Sequence, residues 1–379
     1  MTGLAIRQVQ SQADIAAFIA AGRHAQSCNP HWIEPLHYET YWVFDKKRSP
    51  LMLENEIQPF VAFRNGQPAG RIVAVVNRAH LEKYGDCCGH FGLIDGIDDR
   101  DLFAALLESA AGFLRARQLH RMRGPFNLSI NHEAGLLIDG FEQPHTVRTN
   151  HAPAYYGSHL EALGLRKAID LYGYVCRVAE SDFPERVAKI SCRAGNGKRV
   201  ETSGFSLRGW QSELDRVLAL YNDAWRNNWG SVPVSSAEAK MIAQLSLPVA
   251  KPSWIRTARF RGEDIAVMSQ IPDANEALEG LKGELLPFGW LRLLWRIHGR
   301  KTRRTRIPMI GIASRWQGTQ IGAMAISVLL AEAITNARNA GIQEMEISWM
   351  LETNSAMLNL VQGLPAFHTR TFRVYECAL

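Results

Sequence analysis

The sequence predicts an α/β (α+β) protein built from two domains in tandem, over residues 1–178 and 179–379. Its length of 379 residues is enough for two domains, each with a core of its own. A hydrophobic content of 46% and a charged content of 21% are typical of a globular chain rather than a disordered one. The same order of predicted elements occurs in both halves, which indicates an internal repeat.

The first half begins with a strand and a helix and continues with a hairpin, whose Asn65-Gly66 pair is typical of a tight turn. An aromatic-rich loop from Trp32 to Phe44 either covers the core or forms a pocket lid or a lipid contact. Apolar periodicity and stop signals predict strand Ala5–Val9, helix Ser11–Ala21, strands Pro59–Phe63, Gly70–Val76 and His90–Ile94, helix Asp101–Arg117, strand Met122–Phe126, helix Ala154–Leu163 and strand Leu171–Val178.

The second half repeats this order, and its clearest signals lie between Ile307 and Leu364. Gly341 can end a long helix in the left-handed conformation, and Asn354 can cap the next helix. The predicted elements are helix Glu213–Trp225, strands Trp254–Phe260 and Asp264–Ile271, strand Ile307–Ile312, a polar turn Ser314–Gln320, a helix from Ile321 to Gly341, strand Met345–Met350 and a helix from Asn354 to Gly363.

A helix that begins directly after a strand and a turn presents unpaired N–H groups at the positive end of its dipole. The turn Ser314–Gln320 is therefore a candidate phosphate site. The equivalent turn of the first half, Asp95–Asp101, carries several carboxylates, which would cap the helix but repel a pyrophosphate. We therefore expect the first half to act as a scaffold or a substrate wall.

The hexapeptide Gln317–Gly322 resembles the Q/R-x-x-G-x-G/A pyrophosphate loop of the GNAT N-acyltransferase superfamily, and Asn354 stands where that family begins the helix after its fifth strand. The resemblance implies two GNAT-like domains with mixed central sheets flanked by helices, the second binding acyl-CoA as the acyl donor. Gln320 replaces the first motif glycine, and Val361 replaces the tyrosine that commonly protonates the leaving group. An ordinary strand, helix, strand unit is the alternative. The implied cofactor contacts are Ile312, Ala313, Ser314, Gln317, Gly318, Thr319, Gln320, Ile321, Gly322 and Asn354.

An amine that attacks a thioester needs a base and hydrogen-bond donors for the oxyanion. The resemblance implies an oxyanion donor among the backbone N–H groups of Ile312 to Ser314, and a thiolate with a usual pKa of about 8.5 can leave with little acid help. The candidate bases are Glu346 and Glu352, on and just after the last predicted strand, and His132 in a polar turn of the first half. A surface carboxylate or an ordinary turn is the alternative for each of them.

Indole and amide groups follow helix Glu213–Trp225, where the GNAT fold commonly places its substrate loop. Trp225, Asn228 and Trp229 are therefore candidate substrate-binding residues, and core packing is the alternative.

The net charge is +6, and no acidic residue occurs between Glu284 and Glu332. The segment Phe288–Arg306 combines Trp, Phe and Leu with spaced Arg, which is typical of a helix that lies in a membrane interface. Its last arginines, Arg303, Arg304 and Arg306, would extend the charge toward anionic lipid. A basic helix packed on the core is the second interpretation, and an RNA-binding surface is the third and least favoured.

The six cysteines show no C-x-x-C spacing, which predicts free thiols rather than a disulfide framework or a zinc site, so no metal is expected. No run of about 18 apolar residues occurs, and the N-terminus lacks the pattern of a secretory signal. We therefore expect a cytoplasmic protein, peripheral on the inner membrane.

Further segments resemble the bacterial ceramide synthase-type N-acyltransferases, a tandem-GNAT group. They are Tyr221–Trp225, Asn228–Gly230, Pro272–Asn275, Ile347–Trp349 and Glu352–Asn354. The resemblance implies transfer of a long-chain acyl group from acyl-CoA to the amine of a sphingoid base or its 3-keto precursor. Two alternatives stay open: an aminoacyl-tRNA-dependent tandem-GNAT transferase that grips RNA through Arg300–Arg306, and a non-catalytic acyl-CoA- or lipid-binding protein.

Overall fold

The computed structural model describes residues 3–193, 200–246, 250–299 and 302–379. The chain divides into two compact units. The first unit comprises Met1–Tyr172, Leu278–Trp290 and Arg370–Leu379, and the second comprises Gly173–Ala277 and Leu291–Thr369. The sequence predicts a division after residue 178, and the first unit's N-terminal part ends a few residues earlier, at Tyr172. The first unit also includes two short segments from the second half of the chain.

The first unit contains a mixed sheet in which neighbouring strands are antiparallel, except for the parallel pair β4 and β5. Its strands are adjacent in the order β1-β2-β3-β4-β5-β13, and β6 pairs with β13. The strands are β1 Leu4–Gln8, β2 Glu56–Arg64, β3 Gln67–Val76, β4 Cys88–Gly96, β5 Arg121–Gly124, β6 Leu136–Asp139 and the second part of β13 Ala366–Ala378. The helices are α1 Gln12–Ala25, α2 His37–Val43, α3 Pro50–Glu54, α4 Arg78–Tyr84, α5 Arg100–Arg115 and α6 Tyr155–Ala162.

Local sequence signals explain where several of these elements begin and end. Ser11 and Asp14 form a reciprocal capping box at the start of α1. Asn65 and Gly66 both have positive φ angles, of 52° and 79°, and form the tight turn between β2 and β3 that the sequence predicts.

The second unit also contains a mixed sheet, with strands in the order β7-β12-β11-β10-β9-β8. Strands β11 and β12 are parallel, whereas β8 to β11 are antiparallel. The strands are β7 Arg166–Arg177, whose residues up to Tyr172 belong to the first unit, β8 Glu201–Gly204, β9 Ile255–Phe260, β10 Glu263–Pro272, β11 Arg304–Ile312, β12 Glu344–Leu351 and the first part of β13. The helices from this part of the chain are α7 Phe183–Arg193, α8 Trp210–Trp225, α9 Ser236–Ser246, α10 Asn275–Leu278, α11 Gly289–Gly299, α12 Gln320–Asn339 and α13 Ser355–Gln362. The predicted fold class, α/β with mixed sheets flanked by helices, is confirmed.

Helices α12 and α8 cover opposite faces of the second sheet. The apolar stripe of α12 packs with Ala266, Met268, Met345 and Ile347 in one core cluster. Val267 lies between Ala266 and Met268 and therefore points to the other face, where it contacts α8. Helix α12 is long and apolar enough to cross a membrane, but half of its most apolar window is buried inside the fold, as expected of a core helix.

Some elements differ from the sequence predictions. The aromatic-rich segment Trp32–Phe44 contains the helix α2 rather than a continuous loop. The sequence predictions do not include helices α3, α4, α7, α9 and α10 or strands β6, β8 and β13. In β13 the alternation of apolar and polar residues is broken by His368, Thr369 and Arg370, so its period of two is weak in the sequence.

Candidate active site

Strands β11 and β12 separate partway along their length. Their parallel pairing covers Arg304–Ile307 opposite Glu344–Ile347. Beyond this ladder β11 continues to Ile312 and β12 continues to Leu351. A gap without ladder pairing between β11 and β12 therefore opens at the end of the sheet that leads to the predicted phosphate loop.

The hydrogen-bond pattern of β11 identifies the groups that point into this gap. Ile312 is the register partner of Ala266 in β10, and the next residue, Ala313, donates its N–H to the carbonyl oxygen of Ile265 at 2.8 Å. In an antiparallel ladder such donors alternate along the strand. The N–H groups of Ile310 and Ile312 therefore point away from β10, toward the side from which β12 has diverged.

The loop after β11 follows the sequence prediction closely. Ser314–Trp316 form one 3₁₀ turn, Gly318 has a φ of +72°, and the Thr319 side chain caps α12 by accepting from the Gly322 N–H at 3.0 Å. A glycine is required at position 322 for steric reasons, because a Cβ there would lie 2.2 Å from the carbonyl oxygen of Trp316. Gly318 is required by conformation, because residues with a side chain rarely adopt this φ.

Three backbone N–H groups of this loop are available for a ligand. In the described part of the chain, those of Gly318, Gln320 and Ile321 have no hydrogen-bond partner. Gln320, which replaces the motif glycine, is exposed to solvent. The helix start therefore keeps the unpaired donors that anion binding needs.

The equivalent helix start in the first unit is already occupied. The Asp99 carboxylate caps α5 by accepting from the N–H groups of Asp101 at 3.0 Å and Leu102 at 3.2 Å. Asp99 also pairs with Arg64, and Asp98 pairs with His159 at 2.7 Å. The carboxylates that the sequence analysis expects to exclude pyrophosphate thus fill the place where an anion would bind.

The loop of the second unit is tied to the end of α8. Asp223 accepts from the backbone N–H of Ser314 at 2.6 Å and from its hydroxyl at 2.8 Å. The side-chain amide of Gln317 donates to the carbonyl oxygens of Ala224 and Ile312 at 2.9 and 3.0 Å. The prediction of a free oxyanion donor among Ile312, Ala313 and Ser314 is therefore wrong for the last two, whose N–H groups are occupied, and is kept for Ile312 alone.

Glu346 lies in a buried polar cluster beside the gap. Its carboxylate accepts from the Ser348 hydroxyl at 2.5 Å, and Arg306 donates to the Ser348 hydroxyl at 3.0 Å and to its carbonyl oxygen at 3.1 Å. The exposed fractions of Glu346, Ser348 and Arg306 are 2%, 3% and 3%. Because Met345 and Ile347 belong to the α12 core, alternation directs Glu346 and Ser348 to the opposite, α8 face of the sheet. An internal carboxylate is thereby held next to a guanidinium and a hydroxyl.

The other residues predicted on this side of the sheet have simpler surroundings. Glu352 is half-buried in the turn between β12 and α13. Asn354 caps α13 as predicted, since its side-chain oxygen accepts from the Met357 N–H at 3.2 Å. Val361 is fully buried in the α12 core, so the position of the family's tyrosine is a packing position here.

The predicted substrate residues lie at the end of α8 and in the following turn. The Trp225 ring stacks on Tyr221, with centroids 4.5 Å apart, and a Cβ on Gly311 of β11 would lie 2.4 Å from that ring. Burial raises the pKa of the Tyr221 phenol, and the charge of Glu238 adds to this. Asn228 and Trp229 are half-buried in the turn that follows. Trp225 is thus packed on the strand that borders the gap.

Asn222 holds the segment after α8 in place. Its side chain donates to the Val234 carbonyl oxygen at 3.0 Å and accepts from the Val234 N–H at 2.9 Å. The residues between them, including Asn228 and Trp229, therefore form a closed loop. Asn222 itself therefore has a structural role in closing this loop.

His132 belongs to the first unit, whereas Glu346 and Glu352 belong to the second. Its N–H donates to the Ser129 carbonyl oxygen at 3.1 Å, and the neighbouring Glu133 carboxylate lies 3.7 Å from Arg148. These contacts agree with the ordinary-turn alternative. They do not bring His132 together with the other candidate bases.

The segment proposed to contact lipid, Phe288–Arg306, contains helix α11 and the start of β11. The exposed fractions are 62% for Trp295 and 44% for Trp290, and the other exposed large apolar residues are Phe288, Leu291, Leu294 and, just before the segment, Leu286. The C-terminal end of the segment differs from the prediction. Arg306 is buried against Ser348, and Arg304 lies 2.7 Å from Asp273 and 3.4 Å from Glu276, so neither extends the charge toward lipid. Arg300 and Lys301 lie outside the described residues.

Two functional features were missed by sequence reasoning. Asp223 was not singled out, although an acidic residue at the end of a helix is unfavourable for the helix dipole and is a weak signal for a specific partner. Arg306 was assigned to the basic surface because it follows a run of arginines in the sequence. Only the register of β11 and β12 places it opposite Glu346.

Comparisons with known proteins find relatives of similar sequence and solved structures of similar fold. The chain is 35% identical over 377 residues to the bacterial ceramide synthase of Caulobacter vibrioides, covering 99% of this chain and 98% of that protein. It is 34% identical over 373 residues to protein YghO of Escherichia coli, covering 98% and 94% of the two chains. A tandem GNAT protein from the clavulanic acid biosynthesis pathway superposes with a TM-score of 0.59 at 10% identity, covering 99% of this chain and 98% of that one. No family model matches the chain.

Proposed function

The chain belongs to the bacterial ceramide synthase family of tandem-GNAT N-acyltransferases, and from this premise we propose that it transfers a long-chain acyl group from acyl-CoA to a primary amine. The proposed acceptor is a sphingoid base or its 3-keto precursor. The amine nitrogen forms a bond to the thioester carbon, the carbon–sulfur bond breaks, and the electron pair leaves with the sulfur. The products are an amide and coenzyme A.

The observation that carries the choice of donor is the difference between the two equivalent helix starts. The N–H groups of α5 are capped by a carboxylate, whereas those of Gln320 and Ile321 in α12 are unpaired. A pyrophosphate at α12 would gain hydrogen bonds and a favourable helix dipole. This supports coenzyme A binding by the second unit.

The gap between β11 and β12 suits the rest of the cofactor. The pantetheine arm is extended and carries two amides, so it can pair with a strand whose backbone groups are unpaired. Ile310 and Ile312 offer such N–H groups on the gap side of β11. We propose that the thioester lies at this strand and that the Ile312 N–H stabilises the oxyanion.

Glu346 is the proposed base. A buried carboxylate is stable only with partners, and Ser348 and Arg306 supply them. The Glu346 carboxylate is held by the Ser348 hydroxyl, which in turn accepts from Arg306, and we propose that it takes a proton from the attacking nitrogen. Trp225 lies on the same α8 face of the sheet and supports an apolar approach for the chain of the amine.

The amphipathic segment 286–296 is the proposed lipid contact. Its exposed Trp290 and Trp295, with the exposed Arg292, combine aromatic and cationic groups in the manner of interfacial helices. Such a contact would deliver two substrates that partition into lipid. The RNA-binding alternative is weaker, since Arg304 and Arg306 are engaged within the fold.

The test combines purified protein, a long-chain acyl-CoA and sphinganine or 3-ketosphinganine. We expect amide by mass spectrometry and free thiol in equal amounts. Thiol release no higher than without the amine, across several chain lengths, would overturn the proposed reaction. Tight coenzyme A binding in calorimetry without turnover would select the non-catalytic alternative. Salt-sensitive retention of aminoacyl-tRNA without vesicle binding would select the RNA-dependent one.

A further inference from the structure

Three side chains with metal-binding atoms meet in the first unit, between α4 and β4. His80 lies on α4, and Cys88 and His90 lie on one face of β4 because they are two residues apart. One possible ligand atom of each lies within 4.8 Å of the others. Their exposed fractions are 1%, 1% and 4%. This cluster plays no part in the proposed acyl transfer.

The ring nitrogens in this cluster are not satisfied by the protein. His80 Nδ1 and both ring nitrogens of His90 are buried without a hydrogen-bond partner. Such nitrogens are rare in folded proteins because burial removes their bonds to water. The rings of His80 and His90 lie 4.6 Å apart, the Phe126 ring lies 5.1 Å from His90, and Arg123 lies 4.0 Å from Asp86. A bound cation would satisfy one unpaired nitrogen on each histidine ring.

The partner of His80 is the one that a metal-bound histidine commonly has. His80 Nε2 lies 3.0 Å from a carboxylate oxygen of Asp86, and the same oxygen accepts from the Cys88 N–H at 3.2 Å. This contact places the proton on Nε2 and leaves the lone pair of Nδ1 for a ligand. Metal-bound histidines usually donate their second N–H to a carboxylate in this way.

We propose that His80, Cys88 and His90 bind a zinc-type divalent cation that joins α4 to β4. One thiolate and two imidazoles are the ligand set that Zn²⁺ prefers. Binding forms a metal–sulfur bond at Cys88 and releases the thiol proton. Ligand atoms of a tetrahedral zinc site are about 3.5 Å apart, so separations of up to 4.8 Å would have to shorten by at most about 1.3 Å on binding. The described residues supply three ligands, which leaves a fourth position for water.

The cysteine spacing gives no sign of this site and predicts that no metal is bound. The pattern His80-x₇-Cys88-x-His90 differs from the paired spacings by which zinc sites are recognised. The site depends on the short helix α4, which folds back beside β4.

The test starts with the full chain purified without chelator or affinity metal. We expect about one zinc per chain by mass spectrometry. Replacement by Co²⁺ should give the thiolate-to-cobalt charge-transfer band in the near ultraviolet. Cys88→Ser should remove the band and lower Co²⁺ affinity at least about tenfold. Cys87→Ser, which changes the adjacent exposed cysteine, should leave both unchanged.

X-ray absorption on the unsubstituted protein keeps the proposal testable if Cys88→Ser does not fold. We expect one sulfur at about 2.3 Å and nitrogen at about 2.0 Å from zinc. A bound metal without a sulfur neighbour would overturn the proposal. So would a folded, metal-free protein that shows no charge-transfer band when Co²⁺ is added, since the cluster would then be a dry aromatic contact.

Discussion

The carboxylate of Asp223, at the end of α8, accepts both the backbone N–H and the hydroxyl of Ser314, at 2.6 and 2.8 Å. These two bonds connect the loop between β11 and α12 to the end of α8. The side-chain amide of Gln317 donates two more hydrogen bonds, to the carbonyl oxygens of Ala224 and Ile312. The loop is therefore positioned by α8 before any ligand binds. This arrangement predicts that coenzyme A affinity depends on a residue that need not touch the cofactor.

Asp223→Ala removes the acceptor for both Ser314 groups. We expect coenzyme A affinity in calorimetry to fall about tenfold, since charge-assisted bonds of this kind contribute on the order of 1.5 to 3 kcal/mol. The matched control is Asp215→Ala, which changes an exposed carboxylate on the same helix. Equal affinities for the two variants would show that the loop does not need this anchor.

Gly322→Ala places a Cβ 2.2 Å from the Trp316 carbonyl oxygen, so the turn or the helix start must move. We expect the free energy of unfolding to fall by about 1 to 3 kcal/mol and coenzyme A affinity to fall with it. Gly112→Ala is the matched control, since Gly112 is also helical but has open space around its Cβ position. The free energy of unfolding of that variant, measured with urea, should rise by about 0.5 to 1 kcal/mol. A Gly322 variant as stable as the Gly112 variant would contradict the close packing.

Glu346→Gln keeps the shape of the side chain but removes its charge. If Glu346 accepts the amine proton, kcat for amide formation should fall on the order of a hundredfold or more while coenzyme A affinity is unchanged. Glu352→Gln is the control, and its kcat should stay within about threefold of the unsubstituted protein. The reverse result, with activity lost only in the Glu352 variant, would move the base to the turn after β12.

The elements around the loop could be predicted because their signals are local. The apolar period of α12 lies within that helix, and Gly341 and Asn354 lie next to the helix ends that they mark. The polar clusters could not be predicted in the same way. Arg306 meets Ser348 across 42 positions of sequence, and Asp223 meets Ser314 across 91. Such pairs depend on strand register and helix packing, which hydrophobic periodicity does not report.

Replacing Trp290 and Trp295 together by serine should reduce vesicle binding. Both side chains are exposed, at 44% and 62%, so the fold should lose little stability. We expect affinity for phosphatidylglycerol vesicles in a flotation assay to fall at least about tenfold, while turnover of detergent-dispersed substrates is kept. Leu207→Ser, which changes another residue with 61% exposure, is the control. If the double variant floats with vesicles as well as the unsubstituted protein does, this segment is not the lipid contact.

We expect the folded state to lose stability in mild acid because of His151. Its Nδ1 accepts from the Asn29 amide at 2.9 Å, and its Nε2–H donates to the Phe141 carbonyl oxygen at 3.2 Å, so only the neutral ring fits. Burial lowers the pKa of His151 to about 4, and the charges of His145 and Arg370 act in the same direction.

In the unfolded chain the pKa of this histidine is about 6.5. Between the two values the unfolded state binds the proton and the folded state does not, so stability is complete above about pH 6.5 and falls as the pH drops toward 4. We expect a loss of about 2 kcal/mol from this group between about pH 7.5 and about pH 5 in urea unfolding. His151→Gln should be less stable at neutral pH but should lose correspondingly less over the same interval. An unchanged pH dependence in that variant would assign the acid sensitivity to other groups.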